Sequence, residues 1–292
     1  MRAAAPRTDT VPRRGRGDPQ HVDPRAGRGE GAAVTTGDDR FAGASGVPTR
    51  WPPVVLRPEP VVVERAHVVG VVGARGGAGA SSLAAALARV LSATTATVLV
   101  DLDRGCAGLD VLVGLEGVDG VRWPDLASAR GDVDGDDLLA LLPRWGSCAV
   151  LSADRSRPVP PEAAVVADVL HALSRAAGVL VLDLDRSAVV AGESVAAVCD
   201  TVLVVTPRDL RATAGALALR ESWRDPGTDV GLVVRGPAPG GLGVAELAEA
   251  VGLPVRAVLP ADRRLAAGVE RTGLPATGPL ARAARRLARG LA

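Results

Sequence analysis

Between a valine-rich run and an alanine-rich one the chain reads Ala74-Arg75-Gly76-Gly77-Ala78-Gly79-Ala80-Ser81-Ser82. Glycines at that density let backbone N–H groups converge on an anion, and the start of a following helix adds partial positive charge. A hydroxyl there, on Ser81 or Ser82, ligates Mg²⁺ or caps the helix. The plain alternative is a tight turn with Ser81 as an ordinary N-cap, and the loop alone leaves the two readings even. The general phosphate-loop pattern ends Gly-Lys-Ser/Thr, whereas Ala80 stands where lysine belongs. A dinucleotide site competes, because Gly70, Gly73 and Gly76 crowd the same turn. Asp101 follows about 25 residues on, near the ~20 expected of a ribose-binding acid. The glycine spacing is not that of G-x-G-x-x-G.

Composition removes several chemistries. All 34 basic residues are arginine, so no Schiff base, lysine general base or phosphate-gripping lysine exists in the chain. Isoleucine, asparagine and tyrosine are also absent, the pattern of a GC-rich genome. His21, His67 and His171 are isolated, and Cys106, Cys148 and Cys199 have neither metal spacing nor a pairing pattern. Hydrolase triads and metal clusters therefore have no support, and the expected setting is a reducing cytoplasm. No apolar run approaches the ~18–20 residues of a membrane span.

The elements that must position the loop are legible as patterns. Residues 1–65 hold 9 of the 22 prolines and carry 11 Arg against 8 acids, which reads as a disordered tail and linker. Residues 66–292 have a balance of −2 and 47% of the whole chain is hydrophobic, ample for a core. Strands are predicted at 67–73, 97–102, 148–152, 179–184, 201–206, 229–234 and 255–259. Helices are predicted near 81–92, 137–142, 161–177, 188–198, 209–222, 244–250, 262–270 and 279–290. Strands apolar on both faces and separated by helices imply a doubly wound α/β domain, with a mostly parallel sheet covered on both sides. Trp123, Trp145 and Trp223 are expected to cover that sheet.

The second predicted strand ends Val100-Asp101-Leu102-Asp103-Arg104-Gly105 and continues to Gly108-Leu109-Asp110. Together with the glycine loop, this resembles the MinD/ParA family of deviant Walker-A P-loop ATPases. The family loop, Lys-Gly-Gly-x-Gly-Lys-Thr/Ser, aligns without a gap on Arg75 to Ser81. Val179-Leu180-Val181-Leu182-Asp183 resembles its Walker B strand, with Asp185 in place of the usual proline, and Cys199 to Thr206 resembles its next strand. The likeness spans residues 66–280. Within the family, Gly231 to Gly236 and Leu259 to Arg264 resemble the actinobacterial CpaE-like branch, whose members are often named septum site-determining proteins.

The resemblance implies ATP and Mg²⁺ held by Arg75, Gly76, Gly77, Ala78, Gly79, Ala80, Ser81 and Ser82. Ser81 would touch the ion and Asp183 would hold its water shell. It places Asp101 and Asp103 near Mg²⁺ and the attacking water, with Asp103 the candidate catalytic residue. It places Arg235 beside adenine, where relatives often use asparagine. It also implies a homodimer across the loops, with Arg75 reaching the partner's nucleotide. Ala80 removes one preorganised cation, a loss of roughly 3–4 kcal/mol or about 10²–10³ in rate, so the expectation is weak binding and at most slow ATP turnover. The implied partners are cell-division or pilus and secretion proteins, with a nucleotide-independent scaffold as the second class. Residues 279–292 place Arg282, Arg285, Arg286 and Arg289 on one face. A last covering helix is favoured there over a membrane-lying one. The −2 balance disfavours nucleic acid.

Overall fold

The computed structural model describes residues 65–103, 108–129, 131, 133–223, 227–262 and 265–291. The expected tail, Arg65 apart, and Cys106 lie outside the described residues. The strands are β1 (His67–Gly73), β2 (Thr97–Leu102), β3 (Arg144–Trp145), β4 (Cys148–Leu151), β5 (Val179–Leu184), β6 (Thr201–Pro207), β7 (Asp229–Arg235) and β8 (Val255–Leu259). They form one eight-stranded sheet in the order β3-β4-β2-β5-β1-β6-β7-β8. Every pairing is parallel except β3 with β4. The expected α/β fold with its mostly parallel sheet is the fold observed.

Alternation within the strands explains the layers. In β1, Val68 and Val72 join one apolar cluster while Val69 and Val71 join the other. A strand that buries side chains on both faces must read as a continuous apolar run, as this one does. The helices on one face are α1 (Ala80–Leu91), the short α2 (Leu109–Val113) and α9 (Pro279–Ala288). The other face carries α3 (Gly135–Leu141), α4 (Ala163–Ala176), α6 (Leu210–Arg220) and α7 (Val244–Val251). Two further helices, α5 (Arg186–Ala191) and α8 (Leu265–Thr272), follow β5 and β8.

In α9, Leu280, Ala281, Ala283, Ala284 and Leu287 are buried while Arg282, Arg285, Arg286 and Arg289 are exposed. Its apolar face is spent on the sheet and α1, which makes it a covering helix. Trp123 is buried, and Trp145 and Trp223 pack against the two cores. The guanidinium of Arg89 lies 4.8 Å from the Trp145 ring centroid.

The helix expected over 188–198 is instead two pieces. Asp185 accepts from the backbone N–H of Ser187 (2.7 Å) and starts α5 early, at Arg186. Gly192, at φ 74°, then ends it in the left-handed region, and a 3-10 turn follows at Val195–Val198. The two-residue β3, the five-residue α2 and a 3-10 turn at Trp123–Leu126 were not expected, being too short to show a period.

One contact fixes where the glycine loop begins. A Cβ added to Gly215 of α6 would lie 1.8 Å from the carbonyl oxygen of Ala74, so only glycine lets this helix approach the backbone. Gly215→Ala is therefore expected to push α6 off the loop and destabilise the protein by ~1–3 kcal/mol. At about 2–4 °C per kcal/mol, that loss is readable in a thermal melt. Gly268→Ala, in α8 where an added Cβ meets nothing within 4 Å, is the control and holds or raises Tm. Equal melting of the two variants would refute the contact.

Candidate functional site

The glycine loop leaves β1 at the carboxyl edge of the sheet and enters α1. The backbone N–H of Ala74 donates to Val205 of β6 (3.0 Å) and that of Ala78 closes a turn onto Arg75 (3.2 Å). Gly77 (φ 70°) and Gly79 (φ 93°) take the left-handed conformation that the turn requires. Gly79 is the N-cap of α1 and has no side chain to satisfy the first amides. By contrast α3, α5 and α6 are capped by Asp134, Asp185 and Asp209. Ser81 therefore lies inside the first turn and is not an N-cap, and it sits close enough to Asp183 of β5 to offset part of the upward shift of that carboxyl.

Asp183 is buried between two neighbours in register, Val71 of β1 and Asp101 of β2. Its Oδ2 has no hydrogen-bond partner. Burial pushes its carboxyl up to about 8; the charges of Asp101 and Asp103 add to this, and Ser81 offsets part of it.

At Asp101, Oδ2 accepts from Leu109 N–H (2.9 Å) and Oδ1 from Asp103 N–H (3.2 Å). The Trp123 indole donates to the Asp101 carbonyl (2.6 Å). Asp101 thus helps order the segment after β2, and burial raises its carboxyl to about 6. Each of the two carboxyl oxygens accepts from a backbone N–H.

A cavity of about 660 Å³ opens at the loop, within the size range of small-ligand sites. It brings together Arg75 to Ser82, Asp103, Asp183 and Arg235. Of the residues singled out by sequence, Asp101 alone lies outside its walls and lines instead a neighbouring cavity of about 300 Å³. The two cavities meet at Asp103 and Asp185.

Arg75 and Arg235 are both engaged. Arg75 donates through Nε (3.1 Å) and Nη2 (2.9 Å) to Asp209, and through Nη1 to the Gly76 carbonyl (3.0 Å). Arg235 donates through Nη1 to the carbonyls of Gly77 (3.1 Å) and Ala78 (2.8 Å). Sequence reasoning missed Asp209 as the anchor of Arg75. Its signal was an aspartate at the first position of the helix predicted over 209–222, and its Oδ1 accepts from Ala212 N–H (2.9 Å). Among the described residues, no group of three or more His, Cys, Asp or Glu is placed to hold a metal ion.

The fold is that of the MinD/ParA P-loop ATPases. A ParA family ATPase from Chlorobium tepidum TLS superposes with a TM-score of 0.65 at 20% identity, over 78% of this chain and all of that one. Septum site-determining protein MinD complexed with Mg-ADP, from Pyrococcus horikoshii OT3, gives 0.64 at 17% identity, over 77% and 96%. MinD in the MinC:MinD cell division complex of Aquifex aeolicus gives 0.59 at 18%, over 76% and 95%. By sequence, two uncharacterized proteins of Mycobacterium tuberculosis (strains CDC 1551 / Oshkosh and ATCC 25618 / H37Rv) are 42% identical over 182 residues, 62% of this chain. The chain spans about half the length of these relatives, 51%. No protein-family model matches the chain.

The buried carboxyl pair sets a pH dependence. Asp183 and Asp101 rise from an ordinary 3.8 to about 8 and about 6, so the folded state holds their protons more tightly than the unfolded state does. The stability they contribute is complete below the unfolded value near 3.8 and is lost as pH rises through the folded values. The slope across that window reaches about 1.4 kcal/mol per pH unit for each proton. Tm of the ligand-free protein is expected to fall between about pH 5 and pH 8. Asp183→Asn, which needs no proton, flattens the fall and melts above wild type at the upper end. An unchanged slope in that variant would exclude Asp183 as its source.

Proposed function

We propose that the chain is a degenerate MinD/ParA-like protein that binds ATP weakly with Mg²⁺. It hydrolyses ATP slowly at most, and it serves as a regulator or positioning factor in septum-site determination and cell division. One observation carries the reading. Ser81 and a buried aspartate with an unsatisfied oxygen, Asp183, line one cavity at the start of an uncapped helix. An orphaned buried carboxylate oxygen is costly unless a ligand or cation completes it. A divalent ion bound with phosphates fits that donor set. Ser81 would touch the ion, Asp183 would hold its water shell, and the amides of Gly76 to Ser82 would cradle the phosphates.

Binding and catalysis separate at Ala80. Backbone amides and helix polarity survive its loss of charge, whereas rapid turnover needs a preorganised cation on the transferring group. Asp103, on the cavity wall, is the candidate for orienting the attacking water. Arg75, at the edge of the cavity, is the residue proposed to reach a partner copy's nucleotide once freed from Asp209. The names of the neighbours, cell division MinD with MinC and a ParA ATPase, support a role in positioning division or partition machinery.

The second reading is a nucleotide-independent scaffold of CpaE type for pilus or secretion machinery. It draws on Ala80 and on the Arg75–Asp209 pair, which together leave the loop's own cations absent or occupied. Titration of the purified chain with fluorescent ATP and Mg²⁺ decides between the readings. Saturable binding is expected, with turnover at least about 10²-fold below that of Ala80→Lys. Turnover equal to that of Ala80→Lys would end the degenerate reading. No binding by either form would leave the scaffold.

A further inference from the structure

The charge missing at Ala80 has a substitute nearby in space but far in sequence. Arg235 ends β7, in register with Pro207 of β6 and Leu259 of β8, two strands away from the loop's own β1. Its Nη1 bonds two consecutive loop carbonyls, Gly77 and Ala78. The same nitrogen lies 3.1 Å from the point a Cβ on Gly79 would occupy, so the left-handed glycine and the guanidinium fit one another. In a trans peptide the carbonyl and the following N–H point in opposite directions. A cation that holds the Ala78 carbonyl therefore turns the Gly79 N–H toward the opposite side, and it adds positive charge to the loop that ends at Ser81. Both bonds use one of the nitrogens of a planar five-donor fork.

We infer that Arg235 has taken over the role vacated at position 80. It is a positioning residue that holds the loop's amides ready for a polyphosphate and supplies the missing charge. The inference rests on the proposed nucleotide reading and sharpens it. If β7 contributes a cation to the loop in place of an amide side chain beside the base, the site recognises phosphates more than the nucleobase. The ligand class is then a nucleoside triphosphate selected by its phosphate count, with little distinction between adenine and guanine.

The test is calorimetric titration of the full chain with Mg²⁺ and four probes: ATP, GTP, inorganic tripolyphosphate and AMP. Wild type is expected to bind the three polyphosphates within about threefold of one another, and AMP far more weakly. Arg235→Ala should weaken all three polyphosphates by about tenfold or more, the scale of one charge-assisted contact, while AMP is unchanged. Arg235→Lys should recover most of the loss and Arg235→Gln little of it, because charge is the property required. Ala80→Lys in the Arg235→Ala background should restore binding, the outcome a merely structural arginine would not give. Unchanged or tighter binding by Arg235→Ala overturns the inference, as does an equal loss of AMP. If Ala80→Lys binds ATP while wild type does not, the site is real and Arg235 does not substitute. If neither binds any probe, the nucleotide reading itself fails.

Discussion

Asp183 sits at the carboxyl edge of β5 with β1 on one side and β2 on the other, and its side chain is almost wholly buried at the floor of the cavity. A polar group buried without compensation costs roughly 2–7 kcal/mol, depending on the reference state. Ser81 lies near the carboxyl, and Oδ2 has no hydrogen-bond partner. The arrangement around it follows from that constraint. Ser81 can reach Asp183 only because α1 starts at Ala80, and α1 starts there because Gly77 and Gly79 turn the chain through left-handed conformations. Gly215 in turn lets α6 press against the carbonyl of Ala74 and hold the loop's first residue in place. The loop, the helix and the strand are thus positioned together.

The neighbouring carboxylates are all employed, which is what makes Asp183 distinct. Asp101 is consumed by backbone amides and helps order the chain after β2. Asp185 caps α5, and Asp209 caps α6 while holding Arg75. The Arg75 pair is part exposed, with 40% and 24% of the two side chains accessible, so its net strength is in the range of surface bridges, about 0–1 kcal/mol. A contact of that size can be exchanged for another anion. Arg235 binds carbonyls with no countercharge among its recorded partners, which leaves its full charge at the loop.

Much of this was legible in the sequence, for identifiable reasons. β1, β2, β5 and β8 fell at their expected bounds because Val and Leu dominate them and Gly, Asp or Pro marks their ends. The glycine loop and the Ser81–Asp183 juxtaposition followed from family-like spacing. What escaped was of two kinds. Elements shorter than a period, such as β3 and α2, carry no pattern to read. Side-chain direction across the sheet is also invisible along the chain. The bonds of Arg235 to loop carbonyls and of Asp101 to backbone amides are of this kind. The break at Gly192 was available as a signal, since glycine followed by an acid and serine ends one helix and opens another turn.

The absence of lysine narrows to a question about one position. Drift toward GC-rich codons favours arginine for lysine and preserves charge, as at Arg75; alanine at 80 does not, so composition alone leaves that position unexplained. The walls of the cavity show what the loss entails. They carry five acids, Asp103, Asp183, Asp185, Asp262 and Glu270, against three arginines, Arg75, Arg186 and Arg235. A polyphosphate entering without help would meet a net negative surface at close range, where one wrong charge costs several kcal/mol. Two features reduce that repulsion. Burial disfavours the charged form of Asp183 in the ligand-free site, and Arg235 brings its charge directly to the loop. A divalent cation arriving with the phosphates is the third contribution that this balance calls for. On the proposed nucleotide reading, alanine at position 80 is compatible with binding because the remaining charges are placed as they are, and turnover, which needs more than balance, is what it would weaken first.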